Sequence, residues 1–192
     1  MRIYTRRGDD GTTGLLYGGR VRKDAAVIDA CGEVDEAQAA IGVARAHAGA
    51  GSELDRLLVD LERDLWVLMA ELAAAPEHRP QLVPGRTLVT ADMVARLEPL
   101  IDDLTRRFQA PTEFAVPGQS VLSSHLDVAR TVVRRAERRA LAAAPAGSHI
   151  VPYLNRLSDV LWTMARWQED TFLPARPPAR LTRPEQESEE RP

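Results

Sequence analysis

Arg130-Thr-Val-Val-Arg-Arg-Ala-Glu-Arg-Arg139 reads as the middle of a helix, and the period it carries sets the fold class. At about 100° per residue, Arg130, Arg134, Glu137 and Arg138 share one face, beside an apolar stripe of Leu126, Val133, Ala136 and Ala140. Three guanidinium groups and one carboxylate therefore border a surface that faces a core. In an isolated helix Arg130 and Arg134 repel by about 0.2–0.5 kcal/mol unless an anion lies between them. A bound anion is one reading of this face. A solvated surface laced with local ion pairs is the other, and periodicity alone does not choose between them.

The same period extends outward. Ser120 stands as an N-cap, and the helix is expected to run to about Ala144, where Pro145 and Gly147 stop it. A further helix is expected from about Pro152 to Asp170. Leu154, Leu157, Leu161, Met164 and Ala165 face inward there, with Asn155, Ser158, Asp159 and Trp162 on a neighbouring face. Upstream, Met93, Leu97, Leu100, Ile101, Leu104 and Phe108 set a helix over about 91–109, with Pro99 inside it to kink or divide it. A ladder of Leu54, Leu57, Leu58, Leu61, Leu65, Leu68 and Leu72 behind Ser52 makes another, in which Trp66 and Met69 read as packing residues. Val27, Ala30, Val34, Ala37, Ile41 and Ala44 make the first helix, over about 25–47. Five helices with no convincing strand pairs imply an all-α, five-helix bundle. Residues 1–24 form an irregular loop before the bundle of 25–173, and 174–192, rich in Pro, Arg and Glu, read as a disordered tail.

A chain of 192 residues, 44% hydrophobic and 28% charged, suits one soluble globular domain. Its net charge of −3 leaves no excess of positive charge for a nucleic-acid backbone, so no such partner is expected. No apolar run approaches the roughly 20 residues that span a bilayer. Met-Arg-Ile-Tyr opens without an apolar leader, so a cytoplasmic location and no membrane are expected. Cys31 has no second cysteine to pair with and, inside an apolar-periodic segment, reads as a small core residue rather than a nucleophile.

The opening stretch MRIYTRRGDDGTTGLLYGGRVRKD has no helical period. Its glycines permit close backbone approach, Thr12 and Thr13 add hydroxyls, and Arg6, Arg7, Arg20, Arg22 and Lys23 add cations. Backbone N–H groups converging among hydroxyls and cations make a phosphate cradle. The spacing is not that of a Walker A loop, and a flexible polar terminus is the bland alternative. Of the 25 Lys and Arg residues only Lys23 is lysine, which suggests a point charge that Arg fills poorly.

Taken in order, five segments resemble the PduO-type ATP:cob(I)alamin adenosyltransferases, a family of homotrimeric five-helix bundles. They are Thr5-Arg-Arg-Gly-Asp-Asp-Gly-Thr-Thr13 with Gly18, Arg20 and Lys23-Asp24; Val34-Asp35-Glu36 with Ile41-Gly42; Phe114-Ala-Val-Pro-Gly118; Arg130-x-x-x-Arg134-Arg135-Ala136-Glu137-Arg138; and Tyr153-Leu-Asn-Arg-Leu-Ser-Asp159. The chain departs from the family pattern with Ala37-Gln38 where Leu-Asn is usual, and with Gln119 where a second glycine is usual.

The resemblance implies an enzyme that moves the 5′-deoxyadenosyl group of ATP to cob(I)alamin, giving adenosylcobalamin and triphosphate. Thr5, Arg6, Arg7, Gly8, Thr13, Gly14 and Lys23 would wrap the triphosphate. Arg134, Arg135, Glu137, Arg138 and Asn155 would complete a nucleotide site between subunits of a homotrimer, with Mg2+ accompanying ATP near Glu137. Arg134, Arg130, Asp35 and Phe114 are the residues it assigns to the reaction. Arg130 matches an arginine that pairs across the interface with the aspartate at Asp35, and Phe114 matches the aromatic under the corrin. Cobalt(I) is itself the nucleophile, so the protein supplies position and electrostatics. An adenosylcobalamin-dependent acceptor enzyme is an implied partner. The competing readings are a non-catalytic carrier or sensor of the same fold that binds ATP and cobalamin, and a helical scaffold with solvated arginines.

Overall fold

The computed structural model describes residues 3–169 and 171–176, in which six α-helices carry the fold. They are α1 (Ala26–Ala46), α2 (Glu53–Leu72), α3 (Ala91–Ala95), α4 (Leu97–Thr105), α5 (Val121–Ala140) and α6 (Ile150–Trp167). The expected third helix is two pieces. Pro99 has no N–H to offer the carbonyl of Ala95 and its ring crowds that carbonyl, so the chain breaks at Arg96 and restarts with the proline in the first turn of α4. The five-helix bundle stands, with its third member divided. α5 ends at Ala140, four residues short of the expected end, and Ser120 caps it in a reciprocal capping box with Ser123. Ser52 caps α2 by accepting from the Asp55 N–H.

Two short ladders correct the expectation of no strand pairs. β1 (Thr12–Gly14) pairs antiparallel with β2 (Arg20–Arg22), setting Thr13 opposite Val21. β3 (Ala115–Val116) pairs with β4 (Leu173–Pro174), so the chain at residue 174 is still attached to the bundle. Most of the expected tail, and Asp170 at the expected end of the last helix, lie outside the described residues.

Cross-links fix the directions of the helices. α1 runs antiparallel to α2, with the Gln38 side-chain amide donating to the Glu62 carbonyl at 2.9 Å and Arg45 meeting Asp55 at 2.8 Å. It also runs antiparallel to α5, which packs between α1 and α6. The apolar positions read from the sequence close the core: Ala30, Val34, Ile41, Leu58, Leu65, Leu126, Val133, Ala136, Leu157 and Leu161 are fully buried. Trp66 is an exception. It stands 65% exposed, because its place on α2 is turned away from the leucine ladder rather than into it.

Two buried acids tie the remaining segments to α2. Glu71, completely buried, accepts from Arg79 at 3.0 Å and from the Val89 N–H at 2.8 Å, which pins the connection between α2 and α3. Asp64 accepts from the Tyr153 hydroxyl at 2.6 Å and also from Arg96, joining α2, α6 and the break before α4. Burial, with the Asp64 charge second, holds the Tyr153 phenol well above its ordinary range, so it stays a hydrogen-bond donor. Tyr153→Phe should therefore cost about 1–2 kcal/mol in urea unfolding, since it leaves a buried carboxylate short of a donor. A loss under about 0.5 kcal/mol would mean that Arg96 alone satisfies Asp64.

Candidate active site

The N-terminal segment is ordered as a hairpin over one end of the bundle. The Leu16 N–H donates to the Ala73 carbonyl at 2.8 Å, seating the hairpin tip on the C-terminal end of α2. Arg20 braces the loop before it, donating to Thr12 Oγ1 at 2.6 Å and to the Arg7 carbonyl at 2.6 Å. The Thr12 hydroxyl and N–H both donate to Asp10, which holds that carboxyl below its usual range. The Lys23 N–H donates to the Gly11 carbonyl at 2.9 Å, and the lysine side chain returns over Gly8. A Cβ at Gly8 would lie 3.1 Å from Lys23 Nζ and 3.2 Å from the Thr12 carbonyl, so the ammonium approaches the loop backbone closely because residue 8 is glycine. Arg6 takes a positive φ of 60° and stacks on Tyr4 at 5.5 Å, and Thr5 Oγ1 accepts from the Arg7 N–H at 3.4 Å. Thr13 and Gly14 are in β1. The seven expected loop residues thus belong to one folded unit, whose exposed groups include the cations Arg6 and Arg7 and the carboxylates Asp9 and Asp10.

Along α5 the five arginines fall into two classes. Arg130 Nε donates to Asp127 at 3.1 Å, Arg135 reaches Glu33 at 2.5 Å and also Glu36, and Arg139 meets Asp29 at 3.3 Å. Arg134 and Arg138 have no carboxylate partner among the described residues. Arg138 donates only to the Arg134 carbonyl, at 2.9 Å, and both side chains are exposed. Glu137 accepts from the Asn155 amide at 3.0 Å, which joins α5 to α6 beside them. The structure therefore brings Arg134, Glu137, Arg138 and Asn155 together. Arg135 instead turns onto α1, where the hydrogen bonds it donates to Glu36 and Glu33 raise its already high pKa. Because α1 is antiparallel to α2 and α5, this group and the hairpin lie at the same end of the bundle. Among the described residues no three carboxylate, imidazole or thiol side chains gather as a metal site.

Two turns earlier on α5, about 12 Å from Arg138 by helical rise, Arg130 stands on the wall of a pocket of about 480 Å³. Its other walls include Phe114, Pro117, Asp127, Trp162 and Arg166. Phe114 is 89% exposed, held from behind by the Ala175 N–H donating to its carbonyl at 2.7 Å. An aromatic ring held out next to an open pocket leaves apolar area free to meet a ligand. Asp35 is exposed on α1, and within the chain Arg130 pairs with Asp127 rather than with it.

Reading the sequence missed Asp127, Trp162 as a pocket wall, and Arg166. The signal present was an Asp three residues before Arg130, an i,i+3 pair on the arginine face. Arg166 gave none, since its partner comes from another helix. Cys31 is half-buried, and burial, then the Asp35 charge, push its thiol up, which agrees with a packing role. No helix among the described residues is long and apolar enough to cross a membrane.

Comparison with known proteins places this arrangement. The sequence profile described as Cobalamin adenosyltransferase matches residues 3–168. The corrinoid adenosyltransferase of Mycobacterium tuberculosis is 43% identical over 170 residues, covering 86% of this chain and 87% of that protein. That of Citrobacter freundii is 38% identical over 173 residues, covering 88% and 96%. A variant PduO-type ATP:corrinoid adenosyltransferase from Lactobacillus reuteri, complexed with cobalamin and ATP, superposes with a TM-score of 0.76 at 28% identity, over 86% of this chain and 92% of that one. The matched span runs from before the hairpin to the end of α6, and by that extent and identity the chain belongs to the cobalamin adenosyltransferase family.

Proposed function

We propose that this chain is a corrinoid adenosyltransferase, carrying the 5′-deoxyadenosyl group of ATP to cob(I)alamin with release of triphosphate. The observation that carries the site assignment is the division of α5. Among the described residues Arg134 and Arg138 are left without carboxylates, at the same end of the bundle as the folded loop, in a helix whose other arginines are neutralised. Unneutralised guanidinium groups beside a loop of N–H donors and one lysine suit a polyphosphate.

In this reading Thr5, Arg6, Arg7, Gly8, Thr13, Gly14 and Lys23 hold the triphosphate of a nucleotide lying between subunits of a homotrimer. Arg134 faces the bond that breaks, and its fixed positive charge stabilises the charge gathering on the departing triphosphate. Arg138 adds to the same field. Glu137, oriented by Asn155, is the residue that would hold a magnesium ion accompanying ATP, which would supply further positive charge to the triphosphate. Arg135 acts as a brace between α5 and α1. Phe114 would lie against a face of the corrin, while Arg130 would pair with Asp35 across the subunit interface and close the corrinoid side. One helical turn, about 6 Å, separates Arg130 from Arg134, so one helix sets the corrinoid against the nucleotide. The product passes to an adenosylcobalamin-dependent enzyme in the cytoplasm.

An anaerobic assay with reduced cobalamin, ATP and Mg2+ tests the activity: adenosylcobalamin and triphosphate should form in equal amounts, and ATP binding with a persisting cob(I)alamin spectrum would make the chain a carrier. Arg134→Ala should lower turnover by about 100-fold or more while the oligomer persists, and near-normal turnover would remove Arg134 from the reaction. Gly8→Ala should raise the KM for ATP several-fold by displacing Lys23, with the KM for cobalamin unchanged; an unaltered KM for ATP would mean that the loop does not hold the nucleotide as described.

A further inference from the structure

Arg166 has no part in the reaction as set out above, yet its side chain is only 3% exposed and lines the Phe114 pocket. Its Nη2 donates to Asp127 Oδ2 at 2.6 Å and to Glu169 Oε1 at 3.0 Å, its Nε lies 2.7 Å from Glu169 Oε2, and its plane sits over Trp162 at 5.9 Å. The other oxygen of Asp127 accepts from Arg130 Nε. Charges therefore alternate through Arg130, Asp127, Arg166 and Glu169, crossing from α5 to α6. Just beyond Glu169 the chain enters β4, the strand that pairs with β3 behind Phe114.

We propose that Arg166 is a positioning residue for the corrinoid half of the site. An arginine side chain samples many rotamers; with its Nε engaged by Asp127, the outer edge of the Arg130 guanidinium is held in one direction. Asp127 holds that direction only because a second, buried arginine from α6 fixes its carboxylate. The same guanidinium, through Glu169, steadies the end of α6 from which β4 departs toward the Phe114 strand. One buried residue thus bears both on Arg130 and on the approach to β4, the strand whose neighbour Ala175 holds the Phe114 carbonyl. The inference rests on the corrinoid reading of this pocket.

The test compares Arg166→Met and Arg166→Lys with the native enzyme in steady-state adenosylation, in ATP binding, and in the electron paramagnetic resonance spectrum of bound cob(II)alamin. Methionine keeps the apolar stem and removes the charge, whereas lysine keeps the charge but reaches one carboxylate at a time. Arg166→Met should raise the KM for cobalamin about tenfold or more while ATP affinity stays within about twofold. The fraction of bound cob(II)alamin that has lost its axial base should fall, and Arg166→Lys should recover part of both effects. An unchanged KM for cobalamin in Arg166→Met overturns the proposal. So does a parallel loss of ATP and cobalamin affinity, which marks a merely structural role. If Arg166→Met does not fold, Arg166→Lys decides by the same split. Failure of the native protein to adenosylate would count against the proposed function, and not against the role of Arg166 in corrinoid binding, which the spectrum reads separately.

Discussion

Carboxylates from α1 and donors from α6 hold α5 between them, and where they fall decides which of its arginines are paired. Asp29, Glu33 and Glu36 come from α1 and take Arg139 and Arg135, while α6 supplies Asn155 to Glu137 and Arg166 to Asp127. Exposed pairs of this sort contribute about 0–1 kcal/mol each, so they orient the helix more than they stabilise the fold. The Asp127–Arg166 pair is different in kind, since both side chains are almost fully buried. Breaking such a pair by removing one partner costs about 3–5 kcal/mol, because a charge is left in a poor solvent for it. The helix is therefore fixed rigidly at the Phe114 end and more loosely toward the loop, where, among the described residues, two guanidinium groups have no carboxylate partner.

The bundle was legible because helical periodicity is local. Each turn declares its inward face within four residues, and most positions chosen on that ground, from Ala30 through Leu161, are buried, while Leu57, Leu100, Ile101 and Phe108 are only partly so. Pro99 announced its break for the same reason, as the chemistry of a missing N–H needs no knowledge of the rest of the fold. The ladders were illegible, because a strand of two or three residues shows no alternation and exists only through its partner; β4 finds β3 almost sixty positions away. Trp66 misled for a related reason: bulk argues for burial on average, yet its angle on α2 puts it outside.

The candidate site divided in the same way. Motif order picked out the loop, Phe114, Arg134, Glu137, Arg138 and Asn155, and all of these but Phe114 lie at one end of the bundle. Arg135 was grouped with them by adjacency, but one residue is a rotation of about 100°, enough to carry it from the open face onto α1. Asp127 and Arg166 are 39 positions apart, and only packing shows that they meet. Gln38, a departure from the family pattern, keeps an amide hydrogen bond to the α2 backbone, which the longer side chain reaches.

Lys23 has a consequence that is chemical rather than structural. Its ammonium group is the only side-chain amine in the chain, and it lies over the loop backbone at Gly8. Acylating and reductively alkylating reagents, which spread over many sites in an ordinary protein, therefore converge here on a single side chain. A fluorophore, an isotope label or a solid support attached through a lysine enters this protein at the glycine-rich loop, beside Gly8.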